Sequence, residues 1–388
     1  MTGPVGAPVA EPGRVPVAKL ILFGVVAAVL LYLPHHYAPV EVERFTRTIV
    51  LAMAILGLNL LTGFSGQISL GHGAFFGIGA YTTAILVAHH GWAHVPTLVA
   101  AAALCFAAGV VAGLPALRIK GLYLALTTLA LATVFPTVIQ RFAGVTGGTQ
   151  GRSVDVFESP FGGLAHDQWV YYFALVVAVS TFVLVRNLVF SRVGRALVAM
   201  RDDEVAAQVA GVDIARYKIV TFGLSAMIAG VAGALAVITQ PFPYIDARSF
   251  SIALSIQLLV GMVVGGAASI VGPVVGALFI ERAPDFITDT LGFDASLTNV
   301  VYGIVLILLM FVAPGGVVGL QHRLGAVVGR RLGRRRGGAA AVPDAAFVAP
   351  DALAGRVASR ASPLTDPAGH GSDARPPAPP GLTTTKGT

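Results

Sequence analysis

Long apolar runs separated by short polar stretches recur along the chain. Crossing the hydrocarbon core of a bilayer takes about 20 apolar residues in a helix. Runs at 19–34, 46–63, 74–89, 96–115, 122–140, 169–189, 219–240 and 299–313 each predict one membrane helix. The stretch 251–280 is too long for one ordinary span, and its centre holds Gly265, Gly266, Gly272 and Pro273, which interrupt a helix.

Arginine and lysine decide how to count that stretch, because they accumulate on the cytoplasmic side of a membrane. The clusters are Arg14/Lys19, Arg118/Lys120, Arg192 to Lys218, and Arg323 to Arg336. With the N-terminus inside, alternation puts the middle clusters inside. The last cluster joins them only if 251–280 crosses twice, hinged near Gly265–Pro273; the acidic segment 281–294 then faces outward. The expected fold is all-α, a polytopic transmembrane helical bundle of about ten passes, some short or broken. Its expected layout is a cytoplasmic leader at 1–18, a transmembrane domain at 19–322 with a cytoplasmic loop at 191–218, and a cytoplasmic tail at 323–388, basic and then disordered. No signal-peptide cleavage site stands out, so the first run is expected to act as an anchoring helix.

Composition agrees. Charged residues make up 12% of 388 and apolar ones 55%, with a mean hydropathy of +0.79; a soluble chain carries about 25% charge. The net charge of +7 sits almost wholly in the tail, so it is no sign of nucleic-acid binding. Glycines at small-xxx-small spacing (Gly73/Gly77, Gly109/Gly113, Gly261/Gly265, Gly272/Gly276) fit two readings, close helix packing or the lining of a solute path. Cys105 is the only cysteine, which excludes a disulfide framework and cysteine-based metal sites.

The chemistry is defined first by what is missing. A phosphate-binding loop of the G-x-x-x-x-G-K-[ST] type needs a Gly-Lys pair, and none of Lys19, Lys120, Lys218 and Lys386 follows a glycine. No nucleotide or metal cofactor is expected on this chain. Ion-coupled carriers usually place carboxylates within the membrane. Here Asp and Glu are expected in the leader, loops and tail, with Glu281 at a span end, and Arg and Lys are expected outside the span interiors. Such a path suits a neutral solute driven by an external energy source. The loop after residue 190 predicts one or two short helices in which Leu197, Met200, Val205 and Val209 form an apolar stripe and Gly211 a stop. A helix of that kind either docks in a partner's groove or lies on lipid headgroups.

The segment from Gly57 to Tyr81, with Asn59, Thr62, Gly63, Ser65, Gly66, Gln67, Ser69, Gly71, His72 and Gly73, closely resembles the signature of branched-chain amino-acid ABC transporter permeases. Three further blocks agree, in order: 121–130 with 146–151, the loop 194–211, and 265–277 followed by Pro314-Gly-Gly316. The resemblance covers roughly 20–320 and favours the larger, M-type subunit. It implies ATP-driven import across a bacterial inner membrane and a second, H-type permease subunit. It also implies two cytoplasmic ATP-binding subunits, which use the ATP, and an extracytoplasmic substrate-binding protein. The lipid bilayer is the remaining partner, and no nucleic acid is expected. The same architecture could import urea, short amides or other small amino or aromatic acids. Asn59, Thr62, Ser65, Gln67, Ser69 and His72 are the candidate polar lining of the path. Arg195, Arg201, Glu204, Ala206, Ala207 and Gly211 are the candidates for coupling to the ATPase. The family's Glu-Ala-Ala-x-x-x-Gly is matched by Ala206, Ala207 and Gly211, but Val205 stands where its glutamate belongs and Glu204 comes one residue early.

Overall fold

The computed structural model describes residues 17–119, 121–159 and 163–291, with single positions at 297, 301, 303, 304 and 316. Apart from those single positions, the predicted run 299–313, the Pro314-Gly-Gly316 block, the tail and most of the leader lie outside the described residues. The helices are α1 (Val17–His36), α2 (Pro39–Leu58), α3 (His72–His90), α4 (His94–Gly113), α5 (Leu122–Arg141), α6 (Ala143–Thr146), α7 (His166–Phe190), α8 (Arg192–Asp202), α9 (Glu204–Val209), α10 (Ile214–Ile238), α11 (Ile252–Gly265) and α12 (Gly272–Leu291). The chain is therefore an all-α, multi-pass membrane bundle. Among the described residues, five helices are long and apolar enough to span: α2 with its extension to Phe64, α4 with its extension to Leu117, α5, α7 and α10. The run 251–280 is two helices, α11 and α12, separated at 266–271.

Burial distinguishes centre from periphery. In its most apolar window, α2 is 83% buried and α7 only 17%, so α2 is a central helix and α7 faces outward. With α2 at the centre are α3 and α10, while α4 packs against α10 and is largely exposed along its other side. α3 lies outside the five because it carries His72, Gly73, Thr82 and Thr83, which a helix enclosed by protein can hold. The small residues act as packing surfaces. A Cβ on Gly79 would overlap the Gly230 carbonyl, one on Gly109 would overlap Ala226, and one on Gly276 would overlap the Gly261 carbonyl.

The two ends of the bundle differ in charge. At the end where α2 begins and α12 ends, Arg44 pairs with Asp285 at 2.8 Å, Arg282 with Glu41 at 2.8 Å, and Arg47 with Glu281 at 3.6 Å. The sequence reading put such residues outside the helices, and this is corrected. Helix α2 starts at Pro39, seven positions before the apolar run, so Glu41, Glu43, Arg44 and Arg47 ride on its first turns. Arg186 likewise falls inside α7, near its end, with its guanidinium over the Phe190 ring at 5.4 Å. The opposite end, where α2 finishes, carries α8, α9, the start of α10 and Arg118, and it is basic.

Among the described residues, one small element departs from all-α. β1 (Arg152–Ser153) pairs antiparallel with β2 (Tyr244–Ile245), Arg152 opposite Ile245. The pair ties the long α6–α7 connection to the α10–α11 connection, and the Tyr244 hydroxyl donates to the Gln150 carbonyl.

Candidate functional site

The site grows from the place where α2 loses its α-helical register. Asn59–Phe64 is a π-helix, residues 66–71 are irregular, and α3 begins at His72. A break of this kind frees backbone groups, and inside a membrane each needs a partner. Most of the segment's polar residues answer that need. The Ser65 hydroxyl donates to the Leu61 carbonyl at 2.7 Å, and Thr62 donates to the Gln67 carbonyl at 3.0 Å. Gln67 Nε2 donates to Ser65 Oγ at 3.0 Å. Three residues that the sequence reading missed serve the same break from other helices. Thr128 Oγ1 accepts from Leu70 N at 2.9 Å, Ser255 Oγ accepts from Gly73 N at 2.9 Å, and Ser225 is described below. Nothing in the periodicity marks them, since each is a small hydroxyl within an apolar run.

Asn59 joins two breaks. Fully buried, it donates from Nδ2 to the Ser269 carbonyl at 2.7 Å and accepts at Oδ1 from Ala268 N at 2.8 Å. Residues 268 and 269 form the turn between α11 and α12, so one side chain fixes the broken α2–α3 segment to the α11–α12 turn. Gly63 is where they touch: a Cβ there would overlap Asn59 Oδ1 and press on Ala268 N. Gly265 and Gly272 flank that turn, and a Cβ on Gly265 would overlap the Gly272 carbonyl, with Gly266 at φ +110° and Pro273 in the first turn of α12.

His72 is fully enclosed between two hydroxyls. Ser225 Oγ lies 2.7 Å from its Nε2 and donates its own proton to the Gly57 carbonyl, so Nε2 carries the hydrogen. Nδ1 then accepts from Ser69 Oγ at 3.0 Å. Ser69, His72 and Ser225 form a one-directional chain ending on α2, satisfied with a neutral ring.

The loop 191–218 folds as α8 and α9, each with a side-chain cap. Ser191 Oγ accepts from Val193 N at 3.1 Å, and Asp203 Oδ1 accepts from Val205 N at 2.8 Å and Ala206 N at 3.0 Å. The single apolar stripe expected here is corrected. The extended residue Asp203 turns α9 away from α8. Leu197 and Met200 are buried with Leu56, Leu60 and Ala207, while Val205 is 70% and Val209 85% exposed. The loop thus has an anchored side and a free apolar cap one turn long, with Ala206 also exposed. Gly211 ends it at φ +86°, a conformation costly for other residues, with its N–H on the Gln208 carbonyl. Arg195 projects from the exposed side of α8. Glu204 pairs with Lys218, which is buried at the start of α10.

Arg201 links this loop to the break. Its Nη1 donates to the Gly63 carbonyl at 3.0 Å, and its stem lies against Gly66. Ser65, Gly66 and Gln67 share a cavity of about 150 Å³ with Arg201, Glu204 and Lys218, and Gln67 Oε1 has no partner among the described residues. A run of direct contacts therefore leads from Arg201 at the end of α8 through Gly63 and Asn59 to the α11–α12 turn. Of the sequence candidates, Ser65, Gln67, Arg201 and Glu204 meet at this cavity; Ser69 and His72 lie with Ser225, and Asn59 with the α11–α12 turn. No group of three His, Cys, Asp or Glu suited to a metal occurs among the described residues.

Comparison with known proteins agrees with this architecture. Residues 42–310 match the family model "Branched-chain amino acid transport system / permease component". The chain is 30% identical to the high-affinity branched-chain amino acid transport system permease protein LivM of Escherichia coli, over 71% of this chain and 69% of that protein. Against LivH of the same organism it is 24% identical, over 69% and 91%, and against BraD of Pseudomonas aeruginosa 25% identical, over 74% and 96%. No solved structure matches it significantly. A family match across most of the described bundle, together with a relative at 30% identity, places the chain in the family of branched-chain amino acid transport system permease components.

Proposed function

We propose that this chain is the M-type permease subunit of an ATP-driven importer of branched-chain amino acids, paired with an H-type permease subunit. Two ATP-binding subunits dock at its basic end, which is the cytoplasmic one, and a substrate-binding protein docks at the other. Both termini are then cytoplasmic. The charge asymmetry of the two ends supports this orientation, and the family supports the assembly.

The observation that carries the reading is the form of α8–α9. An exposed apolar cap, Val205 and Val209, stands on a base anchored by Ala207, and that base holds the broken helix through Arg201. A partner seated on the cap and moved by ATP would displace α8–α9, and Arg201 would carry the shift to Gly63. The α2–α3 break and the α11–α12 turn, joined by Asn59, then move together, and Ser65, Gln67, Ser69 and His72 exchange their mutual bonds for the solute as the path opens. The chain supplies path and docking element, and ATP hydrolysis belongs to the partners.

The test is co-purification and ATP-driven uptake with Val205→Asp and Val209→Asp in the assembled importer. Both are expected to release the ATPase subunits and stop uptake while the two permease subunits stay paired. Normal uptake with both substitutions present would contradict the docking role.

A further inference from the structure

A cavity of about 410 Å³ opens at the mixed-charge end of the bundle, between the first turns of α2 and the end of α10. Its size falls within the roughly 300–1,000 Å³ usual for small-molecule sites. Its floor is apolar: Val50, Leu51, Phe76 and Ala236. Its rim holds the Glu43–Arg47 pair at 2.9 Å, and 56% of the Arg47 side chain is exposed, so a solute can reach it.

The hydrogen-bonding capacity of the remaining rim is already divided. The Thr46 and Thr239 hydroxyls spend their protons on the Val42 and Leu235 carbonyls, at 2.9 Å and 2.8 Å. Their oxygens can therefore only accept. Gln240 Oε1 takes the Tyr244 N–H at 3.3 Å, which leaves its amide nitrogen to donate. The rim thus offers one cationic and one neutral donor, Arg47 and Gln240, and one anionic and two neutral acceptors, Glu43, Thr46 and Thr239. All stand above an apolar floor.

We propose that this cavity is the receiving site for the zwitterion of an α-amino acid with an aliphatic side chain. The ammonium replaces Arg47 at Glu43 and bonds the threonine oxygens. The carboxylate replaces Glu43 at Arg47 and bonds the Gln240 amide. The side chain lies on Leu51 and Phe76. One solvent-exposed ion pair is exchanged for two, and no charge is left unpaired. A neutral amide gains nothing from the two charges, and a carboxylic acid without an amine leaves Glu43 without a cation, so the site selects against both. The inference rests on the importer reading above and adds where the substrate is first held and which parts of it are read.

The test is saturation-transfer NMR on the assembled importer in nanodiscs, without its binding protein. L-Leucine is the probe, with 4-methylpentanoate and 3-methylbutylamine as analogues that lack the ammonium or the carboxylate. The leucine methyl signal is expected to fall about tenfold in Arg47→Gln and in Glu43→Gln, as each removes a charged partner. Leu51→Trp fills the floor without touching a charge and is expected to remove the signal too, and both analogues should bind as weakly as the variants. Glu281→Gln takes away the other partner of Arg47 and should stay within about twofold of wild type, since that contact is long at 3.6 Å and Glu281 does not line the cavity. A leucine signal unchanged by Arg47→Gln and Leu51→Trp, or analogues that bind like leucine, would overturn the proposal. ATP-driven uptake of L-leucine by the same preparation plus binding protein separates the two ideas. Uptake with no variant-sensitive binding sinks the site alone, whereas the absence of any branched-chain amino acid uptake sinks the importer reading.

Discussion

Arg201→Ala probes the proposed transmission most sharply, because one side chain joins the docking loop to the broken helix. The substitution removes the 3.0 Å bond from Nη1 to the Gly63 carbonyl and the stem packed on Gly66. It also removes an exposed pair with Asp202 at 3.2 Å, which contributes between about 0 and 1 kcal/mol. A hydrogen bond from a charged donor contributes about 1.5–3 kcal/mol, and with 36% of the Arg201 side chain exposed the lower end applies. A loss of about 1.5 kcal/mol from a contact that biases one arrangement over another shifts their ratio about tenfold. Because α8 keeps its anchor through Leu197 and Met200, the docking cap should survive. The assay is reconstitution with measurement of ATP hydrolysed per solute imported. ATPase activity is expected within about twofold of wild type and uptake about tenfold lower, with Arg201→Lys intermediate because a lysine retains the charge but reaches the carbonyl with a shorter, unforked head. If hydrolysis and uptake stay coupled at the wild-type ratio in Arg201→Ala, the argument that this bond transmits the movement is wrong.

Asn59→Leu leaves the Ala268 N–H and the Ser269 carbonyl without their side-chain partner in a buried setting, and an unfolding temperature lower by the equivalent of about 2–4 kcal/mol is expected in detergent. Asn59→Asp keeps the acceptor but turns an oxygen toward the Ser269 carbonyl, so it should not rescue the loss. Ser225→Ala orphans both His72 Nε2–H and the Gly57 carbonyl, with an expected loss of about 1–3 kcal/mol by the same measurement; pairing it with His72→Phe, which removes the orphaned donor, should recover part of it. Gly211→Val forces a β-branched residue to φ +86° in open space, so hydrogen exchange at 204–212 should quicken while the bundle's unfolding temperature holds.

The apolar runs made the spanning helices readable, because a helix that crosses the hydrocarbon core must be apolar along most of its length. α2, α4, α5, α7 and α10 all follow from that signal. The division of 251–280 into two helices was also readable, since its central Gly265, Gly266, Gly272 and Pro273 interrupt a helix and the expected alternation of basic clusters called for two segments there. What the runs did not show is where helices end. Charged residues such as Glu41 and Arg282 extend α2 and α12 beyond their apolar cores, and their pairing across helices depends on contacts 241 positions apart. The split of Leu197 and Met200 from Val205 and Val209 was hidden as well. A single extended residue, Asp203, rotates the second helix, and periodicity alone cannot detect one residue. The β1–β2 pair has two residues per strand, too short for any alternation to register. Residue type located the signature segment as special, but Asn, Ser and Gln suit freed backbone groups as well as they suit a solute. Only the hydrogen bonds distinguish the partners they have in this conformation.

The central claim is that this chain forms the path while other proteins supply the energy, and reconstituted uptake of radiolabelled L-leucine tests it most directly. Proteoliposomes holding this chain with its H-type partner and the ATPase subunits are expected to accumulate leucine only with ATP on the basic-end side and binding protein on the other. Leucine flux through the chain without ATP or partners, at a rate comparable to the complete system, would contradict it.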